Sequence, residues 1–157
     1  MENFRIVVGN DIYTYVNSDS IMTTLYVDNQ GECFPDCQWT DLTKAVLGIW
    51  LYNLLEIKYL SNTKAKLYFM DGPFYMTIFK DEDMQLTIDC INARGRMEVI
   101  EFTFNCSYKE MMSSMLNAFK SFNKLLFSNG MHTGRFEPTY RRNMLSMNEI
   151  KDALSKL

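Results

Sequence analysis

Short segments in which apolar and polar residues alternate dominate the first hundred positions of the chain. Residues 4–8, 12–16 and 21–27 are rich in β-branched and aromatic side chains and are separated by turn-forming clusters, which predicts three strands. Because the turns inside each group of strands are too short for crossovers, we predict antiparallel pairing. The same alternation predicts four further strands at 64–70, 74–79, 85–91 and 99–106.

The hydrophobic pattern changes to a helical period in two long segments. Apolar residues at steps of three and four predict a helix from about Thr40 to Tyr59, and Thr40 or Asp41 is placed to cap it. A second stripe of this kind follows Ser107, which opens a capping box. Gly130 is a suitable stop for this second helix.

The remainder of the chain is more polar. Met131 to Asn143 contains Gly134 and Pro138 and is predicted to be irregular. A second capping box begins at Ser146 and predicts a short final helix.

The order of predicted elements is β-β-β-α-β-β-β-β-α-α. This order predicts the α+β class, with an antiparallel sheet of about six or seven strands, two long helices packed on one face and a short C-terminal helix. The 157 residues contain no repeat and no linker. We therefore expect residues 1–157 to form a single globular domain.

Composition adds a charge asymmetry to this picture. The chain has 16 basic and 19 acidic residues, a net charge of −3, and 47% hydrophobic residues, which excludes wholesale disorder. Residues 1–106 hold 8 basic and 15 acidic side chains, a net −7, whereas residues 107–157 hold 8 and 4, a net +4. An acidic, sheet-rich body suits a basic protein partner, although an ordinary solvated surface explains the asymmetry equally well.

Targeting signals are not evident in the sequence. The segment Met1–Arg5 lacks the charged start and long apolar stretch of a secretory signal. The longest apolar run, Val46–Leu55, is too short for a bilayer, which needs about 20 apolar residues. We therefore predict a cytoplasmic protein with no membrane contact.

The four cysteines are expected to be reduced in that compartment and buried as small apolar residues. Cys33 and Cys37 are separated by three residues, but a zinc site would need a second close pair of Cys or His. A thiol redox motif has two intervening residues rather than three. We predict no metal and no cofactor, and whether Cys33 and Cys37 do more than pack stays open.

Candidate catalytic residues are scarce. His132, the single histidine, lies beside Gly134 in a predicted loop. It could serve as a general base, but we favour an exposed loop residue. The sequence has no Gly-rich phosphate loop, nucleophile elbow or zinc-protease helix, so we predict that the protein is not an enzyme.

A small basic and aromatic segment near the C-terminus raises the possibility of nucleic-acid binding. Affinity for a phosphate backbone rests on clustered cations, and the chain as a whole is acidic. We therefore predict no nucleic-acid partner. The residues concerned are Arg135, Phe136, Tyr140, Arg141 and Arg142.

Two unusual segments stand out from this background. The first runs from Phe34 through Trp39-Thr40-Asp41 into the first helix, and the second is the hairpin sequence Phe69-Met70-Asp71-Gly72-Pro73. Both have a scaffold explanation, because an aromatic residue before a helix fixes its entry angle and Asp-Gly-Pro fixes a turn.

These two segments resemble the W-T-D helix start and the F-M-D-G-P hairpin of small cytosolic immunity proteins from bacterial polymorphic-toxin and contact-dependent inhibition systems. The resemblance covers about residues 34–80. It implies an α+β protein without catalytic activity, which binds and neutralises one cognate toxin domain, often a nuclease. The matching positions are Trp39, Asp41, Asp71, Gly72 and Pro73.

The expected function is therefore neutralisation of a cognate toxin C-terminal domain by stoichiometric occlusion. An acidic face would substitute for a phosphate backbone in front of a basic nuclease cleft. The alternative is a small-molecule-binding or enzymatic α+β domain that uses a pocket between sheet and helices. The candidate partner-binding residues are Asp28, Glu32, Asp36, Asp81, Glu82 and Asp83.

Overall fold

A computed structural model describes residues 3–157 as an α+β fold with two four-stranded antiparallel sheets. Met1 and Glu2, on which part of the prediction about the N-terminus rests, lie outside the described residues. The strands are β1 Phe4–Thr14, β2 Ile21–Asn29, β3 Glu32–Phe34, β4 Thr40–Leu42, β5 Thr63–Tyr68, β6 Phe74–Lys80, β7 Gln85–Asn92 and β8 Val99–Ser107. The helices are α1 Thr43–Ile57, α2 Tyr108–Ser128 and α3 Glu137–Ser155, with a single 3₁₀ turn at Gly134–Phe136.

The first sheet is built around β2. Strand β1 pairs along one edge of β2, and the short strands β3 and β4 share the other edge, where Val27 lies opposite Phe34 and Met22 opposite Leu42. The prediction of separate strands at 4–8 and 12–16 is wrong, because both segments contribute to β1 and pair with β2, with only a register shift between them. Residues of β2 alternate between buried and half-buried over most of its length, as expected for a strand with one face on the core.

The second sheet is a meander in the order β5-β6-β7-β8, as the alternation at 64–106 predicts. The tight turn between β6 and β7 is held by Asp81, whose carboxylate accepts hydrogen bonds from the backbone N–H groups of Asp83 and Gln85 at 2.8 and 2.9 Å. Side chains of this kind close turns locally and fix the register of the strands they join.

The prediction of one sheet is wrong, and helix α1 supplies the reason. Trp50 Nε1 donates to the carbonyl of Tyr68 at 2.8 Å, and Asn53 Nδ2 donates to the carbonyl of Lys66 at 3.2 Å. The outer edge of β5 is therefore covered by α1 side chains, so no strand of the first sheet pairs there. Helix α1 packs against both β5 and β2 and connects the two sheets through its buried face.

The start of α1 also differs from the prediction. Residues 40–42 form β4 and pair with β2, and the helix begins at Thr43. Leu42 precedes the helix and makes no side-chain capping bond. Thr40 and Asp41 are therefore strand residues rather than helix caps, because pairing with the edge of β2 satisfies this backbone instead.

Helix α2 follows its sequence signals. Ser107 caps its start by accepting a hydrogen bond from Glu110 N at 3.0 Å. At its end Gly130 has φ +68°, and Met131 N donates to Leu126 O while Gly130 N donates to Phe127 O. These paired bonds close the helix with a left-handed residue, a conformation that favours glycine.

The last helix is longer than predicted. A single helix of 19 residues begins at Glu137, where the sequence predicts an irregular segment, and Ser146 is buried within it rather than capping it. Pro138 lies in the first turn, where its missing N–H costs nothing. None of the described helices is long and apolar enough to cross a membrane.

One hydrophobic cluster includes residues from both sheets and from the three helices. Met111, Met115, Phe119 and Phe122 of α2 and Trp50 of α1 are each at most 2% exposed. These methionines and aromatic residues therefore fill the core. Two buried lysines donate to backbone carbonyls near the ends of helices: Lys58 Nζ donates to Ala153 O in the last turn of α3 at 3.0 Å, and Lys80 donates to Leu60 O, which follows α1.

We expect Tyr108→Phe to lower the free energy of unfolding by about 1 kcal/mol, because the buried Tyr108 hydroxyl donates to Leu54 O at 2.7 Å and joins the start of α2 to α1. Burial also raises the pKa of Tyr108. The matched control is Tyr59→Phe, since Tyr59 is 78% exposed. Urea denaturation of both variants checks the expectation, and equal stability of the two would contradict it.

Candidate functional site

The carboxylate of Asp41 brings the two unusual sequence segments together. Asp41 is completely buried, and its oxygens accept from Trp39 Nε1 at 3.0 Å and from Leu42 N at 2.7 Å. They also accept from Met70 N at 3.0 Å and Asp71 N at 3.3 Å in the β5–β6 turn. Several N–H donors stabilise a buried charge that would otherwise be costly.

Gly72 completes this junction by its lack of a side chain. Its φ is +131°, and a Cβ at this position would lie 2.8 Å from Cη2 of Trp39. The indole of Trp39 also packs edge-on against Phe74, with ring centroids 5.1 Å apart. Pro73 follows, and its carbonyl accepts from Ala93 N at 2.8 Å. The five motif residues thus lie in one place, where they join β4 of the first sheet to the β5–β6 turn of the second.

The candidate acidic residues do not form one surface. Asp28 is only 6% exposed, and its charge is paired with Arg5 at 2.7 Å. Its other carboxylate oxygen accepts from Gly31 N at 3.0 Å. Glu32 and Asp36 are exposed in the neighbouring loop. Asp28 therefore organises the β2–β3 turn, while Glu32 and Asp36 face solvent.

Asp81, Glu82 and Asp83 lie at the other end of the second sheet. Phe34 packs against Phe74, the first residue of β6, whereas Asp81 follows Lys80, the last. Six residue steps along a strand correspond to about 20 Å. The two acidic groups, Glu32 with Asp36 and Glu82 with Asp83, are therefore separate surfaces.

The cysteines divide into two classes. Cys33 and Cys37 form a disulfide, which corrects the expectation that all four are reduced thiols. The bridge closes the short loop that holds Phe34 against Phe69 and Phe74. Spacing along the chain does not reveal the pairing, since it depends on how the loop turns back on itself.

Cys90 and Cys106 are free and buried, as predicted. Burial is the main cause that raises the pKa of both thiols, that of Cys106 to about 12. Thiols in this state are poor nucleophiles at neutral pH, because the thiolate is the reactive form. Within residues 3–157, no three His, Cys, Asp or Glu side chains are grouped so as to hold a metal ion.

His132 has a packing role in the structure. Its ring is half-buried and stacks on Phe127 with centroids 4.2 Å apart, and its Nδ1 is buried without a hydrogen-bond partner. The prediction of an exposed loop residue is therefore wrong in part. Tyr140 also approaches the ring, at 6.0 Å.

The basic and aromatic segment near the C-terminus does not present a stacking platform. Phe136 is only 8% exposed, and Arg135 lies over its ring at 4.5 Å. Arg141 is paired with Glu137 at 2.7 Å. Single-stranded nucleic acids are held by exposed aromatic faces beside free cations, and Phe136 is turned into the core instead.

Comparison with known proteins identifies no relative of this chain: no protein-family model, curated protein or solved structure matches it.

We expect Asp41→Asn to lower the free energy of unfolding by about 3 kcal/mol. The asparagine amide has the shape of the carboxylate but no negative charge, and its NH₂ group would face N–H donors that then lose their acceptor. The control is Asp71→Asn at an exposed side chain of the same turn, which should change stability by less than about 0.5 kcal/mol. Chemical denaturation measures both, and a mild effect at position 41 would refute the central role of the carboxylate.

Thiol counting tests the assignment of the cysteines. The native protein without reductant should show no reactive thiol toward a disulfide-exchange reagent at pH 8, because Cys90 and Cys106 are buried with raised pKa values. Unfolding should expose two thiols, and unfolding after reduction should expose four. Four thiols in the unreduced, unfolded protein would contradict the Cys33–Cys37 bridge.

Proposed function

We propose that this protein is an immunity protein that binds a cognate toxin domain and neutralises it by stoichiometric occlusion, without catalysis of its own. The proposal is supported by the resemblance carried by Trp39, Asp41, Asp71, Gly72 and Pro73, and by the net −7 of residues 1–106. The single observation that carries it furthest is the group of exposed carboxylates around the Asp41 junction.

Three exposed carboxylates lie on segments that form this junction or pack next to it. The backbone carbonyl of Asp36 accepts from Trp39 N at 3.3 Å, and Asp71 donates its own N–H to Asp41. Glu32 begins the short strand that ends at Phe34, and Phe34 packs against Phe74, as Trp39 does. We define the junction face as Glu32, Asp36, Trp39, Met70 and Asp71.

The junction face combines features expected of a protein interface. Trp39 is half-buried and held on both sides, by Gly72 and Phe74, and Met70 is 41% exposed beside it. An indole fixed in position costs little entropy on binding and is a frequent energetic centre of interfaces. The cation Arg94 lies over Phe74 at the same end, and the three carboxylates of the face outnumber it.

The acidic hairpin tip is the weaker candidate because lysines line a groove next to it. Met84 and Gln85, which follow Asp83, share this groove with Lys58, Lys109 and Lys156. These lysines bring positive charge close to the tip, although Lys156 is itself paired with Asp152, whereas electrostatic attraction of a basic partner needs an unbalanced negative surface. The partner chemistry that fits the junction face is therefore a basic cleft of a toxin domain, as in a nuclease.

We expect the full chain to protect cells when it is co-expressed with the toxin domain encoded next to it, and to form a 1:1 complex on size-exclusion chromatography. The charge-reversed variant Glu32→Lys with Asp36→Lys should weaken the complex at least tenfold, mainly by slowing association. The matched control, Glu82→Lys with Asp83→Lys, carries the same change in net charge and should retain binding.

Killing of cells that express the folded wild-type chain would refute the proposed function. Equal loss of affinity in both double variants would be compatible with an immunity protein, but it would show that the junction face is not the surface that binds the toxin. Circular dichroism of both variants establishes that they are folded, since all four side chains are exposed.

A further inference from the structure

A small cavity lies between the three helices, away from the junction face. Its volume is about 110 Å³, and helices α1, α2 and α3 all contribute to its wall. A cavity needs only about 10–15 Å³ of such volume to hold one water molecule. The space therefore accommodates several waters or one small ion, and it is well below the 300 Å³ at which drug-sized ligands begin to fit.

The wall that α3 provides is polar and deeply buried. Thr139, Asn143 and Ser146 follow one another at helical spacing, line the cavity and are each at most 3% exposed. The inward stripe of an amphipathic helix is normally apolar. In α3 the buried residues are polar in the first part of the helix and become apolar at Ile150 and Ala153. Buried hydroxyls and amides require polar partners, so the stripe suits a polar occupant.

The asparagine of this stripe is already engaged. Asn143 Nδ2 donates to Asn123 Oδ1 at 2.8 Å, and Asn123 Nδ2 donates to Tyr140 O at 3.1 Å. This chain of bonds fixes α3 on α2 and holds the inner wall rigid. The hydroxyls of Thr139 and Ser146, one turn to either side, are the groups placed to serve an occupant.

Two cations complete the lining, and both are held in long ion pairs. Lys44 is 3.4 Å from Asp19, and Arg142 is 3.5 Å from Glu149. Elsewhere in the described chain, the pairs of Arg5 with Asp28 and Arg141 with Glu137 measure 2.7 Å. Glu149 also lines the cavity, so the lining carries one net positive charge, and its cations retain donors for an anion.

Gly48 keeps the opposite wall open. It lies inside α1, where glycine costs about 1 kcal/mol relative to alanine, and no atom lies within 4 Å of where its Cβ would stand. A side chain at this position would not collide with any neighbouring residue, so close packing does not explain the glycine. It leaves free space on the side of the cavity that faces the hydroxyls of α3.

We propose that this cavity binds a free tetrahedral oxyanion of the phosphate class. Arg142 and Lys44 supply the positive charge, and the hydroxyls of Thr139 and Ser146 donate hydrogen bonds to the anion oxygens. Guanidinium groups suit such anions because their donors match the spacing of two oxygens. This site is independent of the proposed toxin contact, since none of its residues belongs to the junction face.

The test is a calorimetric titration of the full chain with inorganic phosphate at constant ionic strength. We expect saturable 1:1 binding, and Arg142→Gln should raise the Kd at least tenfold. Arg141→Gln is the matched control, because Arg141 is the neighbouring exposed cation and does not line the cavity. Phosphoserine should bind at least tenfold more weakly than phosphate, since a volume of about 110 Å³ leaves little room beside the anion for the rest of an ester.

Substitutions at position 48 test whether phosphate binds inside the cavity without changing any charge. Gly48→Leu should fill the cavity and abolish phosphate binding, whereas Gly48→Ala should retain it, with folding of both verified by circular dichroism. Absence of saturable binding, or equal binding by wild type and either Arg142→Gln or Gly48→Leu, would overturn the proposal. Binding of phosphoserine as tight as that of phosphate would overturn the assignment to a free ion.

Discussion

The buried carboxylate of Asp41 is the interaction on which the arrangement of the two sheets depends. It lies in β4 of the first sheet and accepts hydrogen bonds from the β5–β6 turn of the second. An ionised group out of contact with water is tolerated only when donors surround it. The Asp41 carboxylate therefore needs both the indole N–H of Trp39 and the backbone N–H groups of Met70 and Asp71. This need for donors sets the position of Trp39 and the conformation of the turn.

This constraint separates the residues that carry the family resemblance from those suited to bind a partner. Asp41 and Gly72 serve the junction itself, one through its hydrogen bonds and the other by leaving room for Trp39. The carboxylates of Glu32 and Asp36 are exposed on neighbouring segments. Under the proposed function, a rigid junction with a charged rim would suit recognition of one partner, because little conformational freedom would be lost on binding.

The three helices combine an apolar contact with the sheets and a partly polar contact with one another. Its sheet-facing side is a conventional core of Met, Phe and Leu side chains, but the contact between α1 and α3 contains a polar stripe and the open space beside Gly48. Polar groups inside a helix interface cost stability unless they are paired. The two surfaces proposed here thus draw on different parts of the fold, the junction face on the sheets and the cavity on the helices.

The sequence by itself determined β2, the antiparallel meander of β5–β8, and both ends of α2, because alternation, short turns and caps act between residues close in the chain. It divided β1 into two strands and did not reveal the short strands β3 and β4, whose pairing depends on the distant edge of β2. It also singled out the residues of the junction. The separation into two sheets, the covered edge of β5, the disulfide and the full length of α3 were decided by tertiary structure. Each depends on contacts between distant segments: Trp50 and Tyr68 at the sheet edge, or Asn123 and Asn143 beneath the polar stripe. The local sequence pattern does not indicate which distant group will form a hydrogen bond with a buried polar atom. Asp41 was expected to cap a helix, but its hydrogen bonds to the β5–β6 turn make it the link between the two sheets.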